Sequence, residues 1–145
     1  MPRWVREAFD DYAERLSGGL KLSLVEIAPG ARGSGHSVEQ AMSTEAQRIG
    51  AALRKDEYVV ALDEQGISMK TREFSSWLAA RMQGGRDVAF LIGGPDGLSA
   101  AIQTRCDFKW SLSALTFPHA LVRVVLAEQL YRAQSVLNNH PYHRD

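Results

Sequence analysis

The stretch SLSALTFPHALVRVVLAEQLYRA, residues 111–133, decides the fold. Its second half has the composition of an α-helix, but apolar side chains fall on more than one face of that helix and not on a single stripe. They are Leu121, Val122, Val124, Val125, Leu126, Leu130 and Tyr131. Such a helix needs two neighbours, and we expect one inside its own domain and one in a second copy of the chain. Its first half, residues 111–117, is a loop rich in hydroxyl groups, and we interpret it as a candidate functional segment.

Helices and strands alternate along the rest of the chain. Apolar spacing and capping residues predict helices over residues 4–16, 37–53, 71–83, 98–104 and 119–137. Ser37, with Gln40 three residues later, has the pattern of a capping box, and Thr71 is the predicted cap of the third helix. Short apolar or alternating runs predict strands over residues 20–28, 57–63, 87–94 and 108–113. This alternation is typical of a parallel sheet flanked by helices. We therefore predict an α/β fold in one domain, residues 1–145, with a flexible tail over residues 138–145.

The composition excludes several classes of protein. Seventeen basic and seventeen acidic residues balance, so a nucleic-acid surface would have to be a local patch. A single cysteine, Cys106, cannot form an internal disulfide and fits a reducing compartment. Apolar runs are too short to span a membrane, and the first residues lack the apolar core of a signal peptide. The sequence thus predicts a cytoplasmic protein that does not enter membranes.

Three predicted strands end in segments whose residues could bind a ligand. They are LDEQG (62–66), IGGPDG (92–97) and LSALTFPH (112–119). In parallel sheets, ligands bind beyond the carboxyl ends of the strands. The glycines let a ligand approach the backbone, although GGPDG is also a common tight turn. We expect Pro118 in the first turn of the last helix, with Thr116 near its cap.

The sequence lacks the motifs of nucleotide-binding proteins, serine hydrolases and metal-binding proteins. Neither the dinucleotide-binding pattern of glycines nor a P-loop occurs, and the serines of SLS lack a nucleophile elbow. His140 and His143 are three residues apart, but Pro141 between them argues against a helical metal site, and no second cysteine completes one. We expect no metal, and we interpret Cys106 as a buried structural thiol.

Three ordered motifs carry a resemblance to a known family. LIGGPDGLS (91–99), WSLSALTFPHALVRVVLAEQLYRA (110–133) and NNHPYHR (138–144) resemble the RlmH family of SPOUT-class methyltransferases, which modify N3 of a pseudouridine in 23S ribosomal RNA. The resemblance implies a C-terminal trefoil knot, a homodimer and S-adenosylmethionine as cofactor. The cofactor residues that it implies are Leu62, Gly93, Leu112, Ser113, Ala114, Leu115, Thr116 and Phe117.

The same resemblance assigns the C-terminal tail to the substrate. Tyr142, His143 and Arg144 match the Tyr-His-Arg that the family needs close to the target base. A tyrosine stacks on bases, an arginine holds phosphate, and a histidine with a pKa near neutrality serves as a base.

The chain departs from the family at two places. The family has an additional strand before the MPxW segment, so we expect a fold that lacks this first strand. Ile67 stands where the family commonly has lysine. Two alternative functions stay open, namely a non-catalytic ribosome-binding or RNA-binding remnant, and a knotted methyltransferase that acts on tRNA.

Overall fold

The computed structural model describes residues 1–143 of the chain. Within that range there are five helices and three strands, which alternate from the second helix onward as the sequence predicts. They are α1 (Arg3–Arg15), α2 (Val38–Ala52), β1 (Tyr58–Ser68), α3 (Thr71–Gly84), β2 (Val88–Leu91), α4 (Ala100–Arg105), β3 (Phe108–Ser111) and α5 (His119–Leu137). None of these helices is both long and apolar enough to cross a bilayer.

The strands form a parallel sheet in the order β2-β1-β3, with β1 in the centre. Ala61 pairs with Leu91 on one side, and Leu62 pairs with Trp110 on the other. The central strand is buried from Val59 to Ala61, which explains its nearly continuous apolar sequence. The predicted α/β class with a parallel sheet between helices is confirmed. The trefoil knot and the absent first strand stay predictions.

Aromatic packing joins the sheet to α3. The ring of Phe74 on α3 stacks on Trp110 of β3 with centroids 4.2 Å apart, and Trp77 stacks on Phe108 at 5.7 Å. Leu126 and Leu130 of α5 belong to the same buried cluster. A second cluster of Val59, Leu91 and Ile102 receives Ile49 and Leu53 from the α2 segment. The sheet therefore separates two apolar layers, as its sequence requires.

The helix starts agree with the sequence in one case and differ in another. Ser37 caps α2, because its Oγ accepts the N–H of Gln40 while the Gln40 side chain accepts the N–H of Ser37. The interpretation of Thr71 as the cap of α3 is wrong. Lys70 is the capping residue, and its N–H donates to the carboxylate of Glu73. Thr71 is already the first helical residue.

The predicted strand over residues 20–28 is wrong as well. Leu20, Leu22 and Leu24 are half-buried and alternate with exposed residues, as they would in a strand, yet no described strand pairs with them. A groove of about 1210 Å³ lies between this segment and β2. Because a strand requires a hydrogen-bonded neighbour about 4.8 Å away, the alternating pattern alone cannot produce one here.

The two apolar faces of α5 have neighbours within the same chain. One packs on α1 and the other on α3, so the monomer already supplies both of the partners that the helix needs. Leu126, Ala127, Leu130 and Ala133 are buried by this packing. The homodimer therefore stays a prediction, and the two-faced helix no longer argues for it.

Candidate functional site

The sheet order brings the three predicted ligand-binding segments to one edge. All three strands run parallel with β1 in the middle: β2 ends at Leu91 opposite Ala61, and β3 ends at Ser111, next to Trp110, which pairs with Leu62. Leu62 lies on β1, Gly93 follows β2 by two residues, and residues 112–117 follow β3 directly. The structure thus places all eight residues of the predicted cofactor set along one edge.

Hydroxyl groups shape the loop of residues 112–117. The Oγ of Ser111 donates to the carbonyl oxygen of Ser113 at 3.0 Å, and the Oγ of Ser113 accepts the N–H of Leu115 at 2.9 Å. This arrangement turns the side chain of Leu115 outward, where it is 69% exposed. The serines of this loop are therefore used by the backbone, which is their ordinary role in turns.

A bulge in β1 forms the opposite wall. Leu62 and Ile67 both pair with Trp110, so residues 63–66 protrude from the strand. Gly66 lies so close to β3 that a Cβ there would come within 2.7 Å of the Lys109 and Trp110 backbone. Ile67, at the end of the bulge, is 59% exposed. The bulge and the loop therefore present two uncovered apolar side chains beside the sheet edge.

Thr116 joins these two walls. Its Oγ1 donates to Oε1 of Glu64 at 2.8 Å, so Thr116 does not cap α5 as the sequence suggested. Pro118 is the capping residue of α5. Glu64 was not predicted from the sequence, because its partner lies 52 positions away and no local spacing connects them.

Gly93 is fixed by its own loop. A Cβ at this position would lie 2.9 Å from the carbonyl carbon of Gly97, which is closer than side chains tolerate. Gly94 and Gly97 close the turn through the Gly97 N–H and the Gly94 carbonyl at 3.0 Å, and Gly97 has a φ of +78°. The tight-turn interpretation of GGPDG thus holds, whatever ligand the loop receives.

An ion-pair network attaches this glycine loop to α2. Arg32 donates from Nη1 to Oε2 of Glu45 at 2.6 Å and from Nε to Oδ2 of Asp96 at 2.9 Å. Glu45 is only 9% exposed and also accepts the N–H of Gly30 at 2.9 Å. The hydrogen bond from Arg32, followed by that from Gly30, lowers the pKa of Glu45 although its desolvation acts in the opposite direction. The sequence did not predict this network, because Arg32 and Asp96 are 64 positions apart and no local spacing connects them.

The described part of the C-terminal tail turns back onto α5. The Tyr142 hydroxyl donates to Oε2 of Glu128 at 2.6 Å, and the ring of Tyr142 contacts Tyr131 at 4.6 Å between centroids. The guanidinium of Arg132 lies 5.1 Å from the Tyr142 ring and donates to Glu128 at 2.7 Å. Burial, followed by the bond to Glu128, raises the pKa of Tyr142. The described part of the tail is therefore in contact with α5 through Tyr142, and the flexibility of residues 138–145 stays a prediction.

The tail and the predicted cofactor loop are not brought together within one chain. Tyr142 contacts Glu128, Tyr131 and Arg132, which lie 9 to 13 residues after the first residue of α5. At 1.5 Å per residue, this is roughly 13–20 Å along the helix. His143 lies beside Tyr142, with Nδ1 at 3.3 Å from the Oγ of Ser135. Arg144, the third residue of the predicted substrate group, lies outside the described residues.

The residues at the sheet edge fit an adenosine-type cofactor chemically. The exposed side chains of Leu115 and Ile67 offer apolar surface, and the adjacent loops offer backbone N–H and C=O groups for a base edge. Sites for small ligands combine mostly apolar walls with a few polar groups in this way. Nothing in this set requires a metal ion.

Comparison with known proteins shows the family to which this chain belongs. A family model described as "Predicted SPOUT methyltransferase" matches residues 1–143. The chain belongs to this family.

Its relatives include proteins named "Ribosomal RNA large subunit methyltransferase H". Those from Methylococcus capsulatus and Bordetella pertussis are 50% and 52% identical to this chain over 144 residues. The matches cover 99% of this chain and 93% and 92% of the respective relatives. The resemblance predicted from the three motifs is confirmed.

Proposed function

We propose that this protein transfers a methyl group from S-adenosylmethionine to N3 of a pseudouridine in 23S ribosomal RNA. The observation that carries the proposal is the convergence of Leu62, Gly93 and residues 112–117 at one edge of a parallel sheet. The names of relatives at about half identity over nearly the whole chain give the substrate class, large-subunit ribosomal RNA. The exact base rests on the resemblance in the tail.

The cofactor would lie between the β1 bulge and the loop of residues 112–117. Leu62, Leu112, Leu115 and Phe117 would flank the adenine, and the Thr116–Glu64 bond would keep the two walls at a fixed separation. When bound, S-adenosylmethionine supplies a methyl group that is electrophilic because it is attached to a sulfonium. The task of the protein is therefore to position the acceptor and to remove its proton.

His143 is our candidate for the proton acceptor. The unprotonated nitrogen of a neutral imidazole can accept the N3 proton of a pseudouridine. Tyr142 serves in this structure as the anchor of the tail, because its ring and its hydroxyl both contact α5. We therefore propose that Tyr142 positions the tail and does not stack on a base. For Arg144 we keep the proposed phosphate contact.

The separation of the tail from the loop supports a homodimer in which the two come from different subunits. The anchored tail lies roughly 13–20 Å along α5 from the loop of its own chain. A methyl donor and a proton acceptor must act on the same base, so a partner chain would have to supply one of them. A cyclic dimer with a twofold axis would build two such sites.

Assembled ribosomal particles are the substrate that the charge balance favours. Because the net charge is zero, this chain lacks the excess of positive charge that usually attracts proteins to free RNA. Recognition would then depend on the local shape of the folded RNA and its proteins. The chain would accordingly act late in ribosome assembly.

The proposal is tested by methyl transfer from labelled S-adenosylmethionine to four acceptors, namely whole ribosomes, large subunits, protein-free 23S ribosomal RNA and tRNA. We expect label in ribosomal particles, mapped by nuclease digestion and mass spectrometry to one pseudouridine. The His143→Ala variant should reduce the rate without loss of cofactor binding. Label in tRNA would favour the knotted tRNA methyltransferase, and cofactor-independent ribosome binding with no label would favour the non-catalytic remnant.

A further inference from the structure

Ser135 is a buried hydroxyl on α5 that contacts the proposed base. Its residue is only 2% exposed. Its Oγ lies 2.6 Å from the carbonyl oxygen of Arg132 and 3.3 Å from Nδ1 of His143. A carbonyl oxygen has no proton to give, so the short contact to Arg132 must use the single proton of the serine hydroxyl.

The second contact must therefore have the opposite direction. With its proton engaged, the Ser135 oxygen can only accept a hydrogen bond, and Nδ1 of His143 must donate it. A neutral imidazole carries one proton, so a proton on Nδ1 leaves the lone pair on Nε2. Nε2, the ring nitrogen that is not bonded to Ser135, is then the basic one.

We propose that Ser135 is a positioning residue that holds His143 in the Nδ1–H form and leaves Nε2 free to accept the N3 proton of the substrate. The proposal deepens the function proposed above and rests on it. The partner of one ring nitrogen often fixes the state of the other, and such a partner sets both the orientation of the ring and the atom that reacts.

The surrounding contacts keep His143 within reach of Ser135. The helix end closes through the N–H of His140, which donates to the carbonyl of Ser135 at 2.8 Å, with Asn139 at a φ of +54°. This left-handed residue reverses the chain, as is usual after a helix. The Tyr142 hydroxyl then fastens the tail to Glu128 at 2.6 Å. Both contacts lie within three residues before His143 and hold the chain against α5 up to that residue.

The charged groups on this part of α5 are already paired with each other. Glu128 accepts from Tyr142 and from Arg132, and the guanidinium of Arg132 lies over the ring of Tyr142. Ser135 is thus the group on the helix that contacts the imidazole directly, and it is neutral. Ser135 therefore orients the imidazole ring without adding a charge beside it, so the ring becomes charged only when it accepts the proton of the substrate.

The direct test is a nitrogen-15 spectrum of the histidines in the full-length protein, recorded at a pH where His143 is neutral. A His143→Gln variant assigns the His143 signals. We expect the Nδ1 signal of His143 in the protonated range and the Nε2 signal in the unprotonated range. In the Ser135→Ala variant, the signals should shift towards the Nε2–H form, which neutral histidine favours in water.

A matched control separates this effect from the loss of a buried hydroxyl. Ser75 is also 2% exposed, and its Oγ contacts the Thr71 carbonyl of its own helix at 3.0 Å and the Ala133 carbonyl of α5 at 3.3 Å, but not the tail. The Ser75→Ala variant should leave the His143 signals where they are in the wild type. It also shows how far a lost buried hydroxyl lowers the melting temperature without affecting the tail.

Kinetics give the second measurement. Ser135→Ala should lower kcat for methyl transfer to ribosomes about tenfold, a part of the contribution that a general base makes, while KM for ribosomes and the Kd for cofactor change less than about twofold. Two spectral results would overturn the proposal. One is a wild-type His143 that carries its proton on Nε2, and the other is a Ser135→Ala spectrum identical to that of the wild type. If the wild type transfers no methyl group to ribosomes, the proposed function itself fails. If the wild type is active and His143→Ala is equally active, only the role of His143 and Ser135 fails.

Discussion

The hydroxyl of Thr116 lies 2.8 Å from Oε1 of Glu64 and joins two segments that are 52 positions apart. Both side chains belong to exposed residues, so the bond contributes little to the folding free energy. Its effect is geometric, because it ties the loop of residues 112–117 to the bulge of β1. The affinity of a ligand between these two walls should therefore be sensitive to this contact.

Replacement of Thr116 by valine should therefore affect binding more than folding. The change keeps the shape and removes the hydroxyl, which corresponds to about 0.5–1.5 kcal/mol. We expect the affinity for S-adenosylmethionine to fall about two- to tenfold in calorimetry, with an unchanged melting temperature. Thr44→Val is the matched control, since Thr44 bonds the Gln40 carbonyl of its own helix. Equal affinities for Thr116→Val and Thr44→Val would contradict this prediction.

Glu45 links folding to pH. Because its pKa in the folded state lies below the ordinary value of 4.5, the carboxylate contributes stability above about pH 4.5. That contribution is lost as the pH falls through the folded-state pKa. In urea unfolding from about pH 6 to about pH 3, Glu45→Gln should be less stable than the wild type at pH 6, and the two should converge at low pH.

Glu14→Gln provides the comparison for this measurement, because Glu14 is exposed on α1. It should keep the pH dependence of the wild type. A Glu45→Gln curve parallel to that of the wild type across the whole range would show that the Arg32–Glu45 pair contributes no such linkage.

At the scale of the elements, Arg32 connects two loops that local sequence cannot connect. The loop before α2 and the glycine loop after β2 are held together by the Arg32–Asp96 bond at 2.9 Å, with a sequence separation of 64. Glu45 holds the other end of the guanidinium. The position of the Gly93 backbone therefore depends on α2 as well as on the sheet.

Asp96→Asn should loosen this connection. Asparagine keeps the shape of the side chain but loses the charge that pairs with Arg32, so the glycine loop should lose part of its fixed position. We expect an affinity for S-adenosylmethionine that is lower by about three- to tenfold. Asp87→Asn serves as the control, because Asp87 pairs with Arg54 at 2.8 Å on the exposed surface. The prediction fails if Asp96→Asn and Asp87→Asn bind the cofactor equally well.

At the scale of the whole molecule, the anchored tail and the cofactor loop lie at different heights along α5. If the active site combines both, it must form between two chains. We therefore expect light scattering to give a mass near twice 16.0 kDa. Two inactive variants should also restore activity when their subunits are exchanged.

The first variant lacks residues 142–145, and the second carries Leu115→Asp in the loop. Each alone should lose at least about tenfold in rate. Random exchange makes half of the dimers mixed, each with one complete site out of two, so about a quarter of the wild-type activity should return. Mixtures that stay as inactive as their components would contradict a site shared between chains.

The sequence by itself determined the class of this fold and the segments that matter. Alternating helices and strands follow from apolar periodicity, and the capping box at Ser37 follows from a spacing of three residues. Both depend on interactions within a few residues, which sequence patterns record. The motifs at 91–99, 110–133 and 138–144 likewise identified the family, because their order and spacing are specific.

The tertiary structure alone decided which segments become partners. Leu20, Leu22 and Leu24 have the pattern of a strand, yet they form none because a groove separates them from β2. Thr116 bonds Glu64 and does not cap α5, and Arg32 bonds Asp96. Each contact spans more than 50 positions, so local sequence could not predict it. The two faces of α5 contact α1 and α3 for the same reason. Contacts between distant residues depend on how the elements pack, and no local spacing encodes that packing.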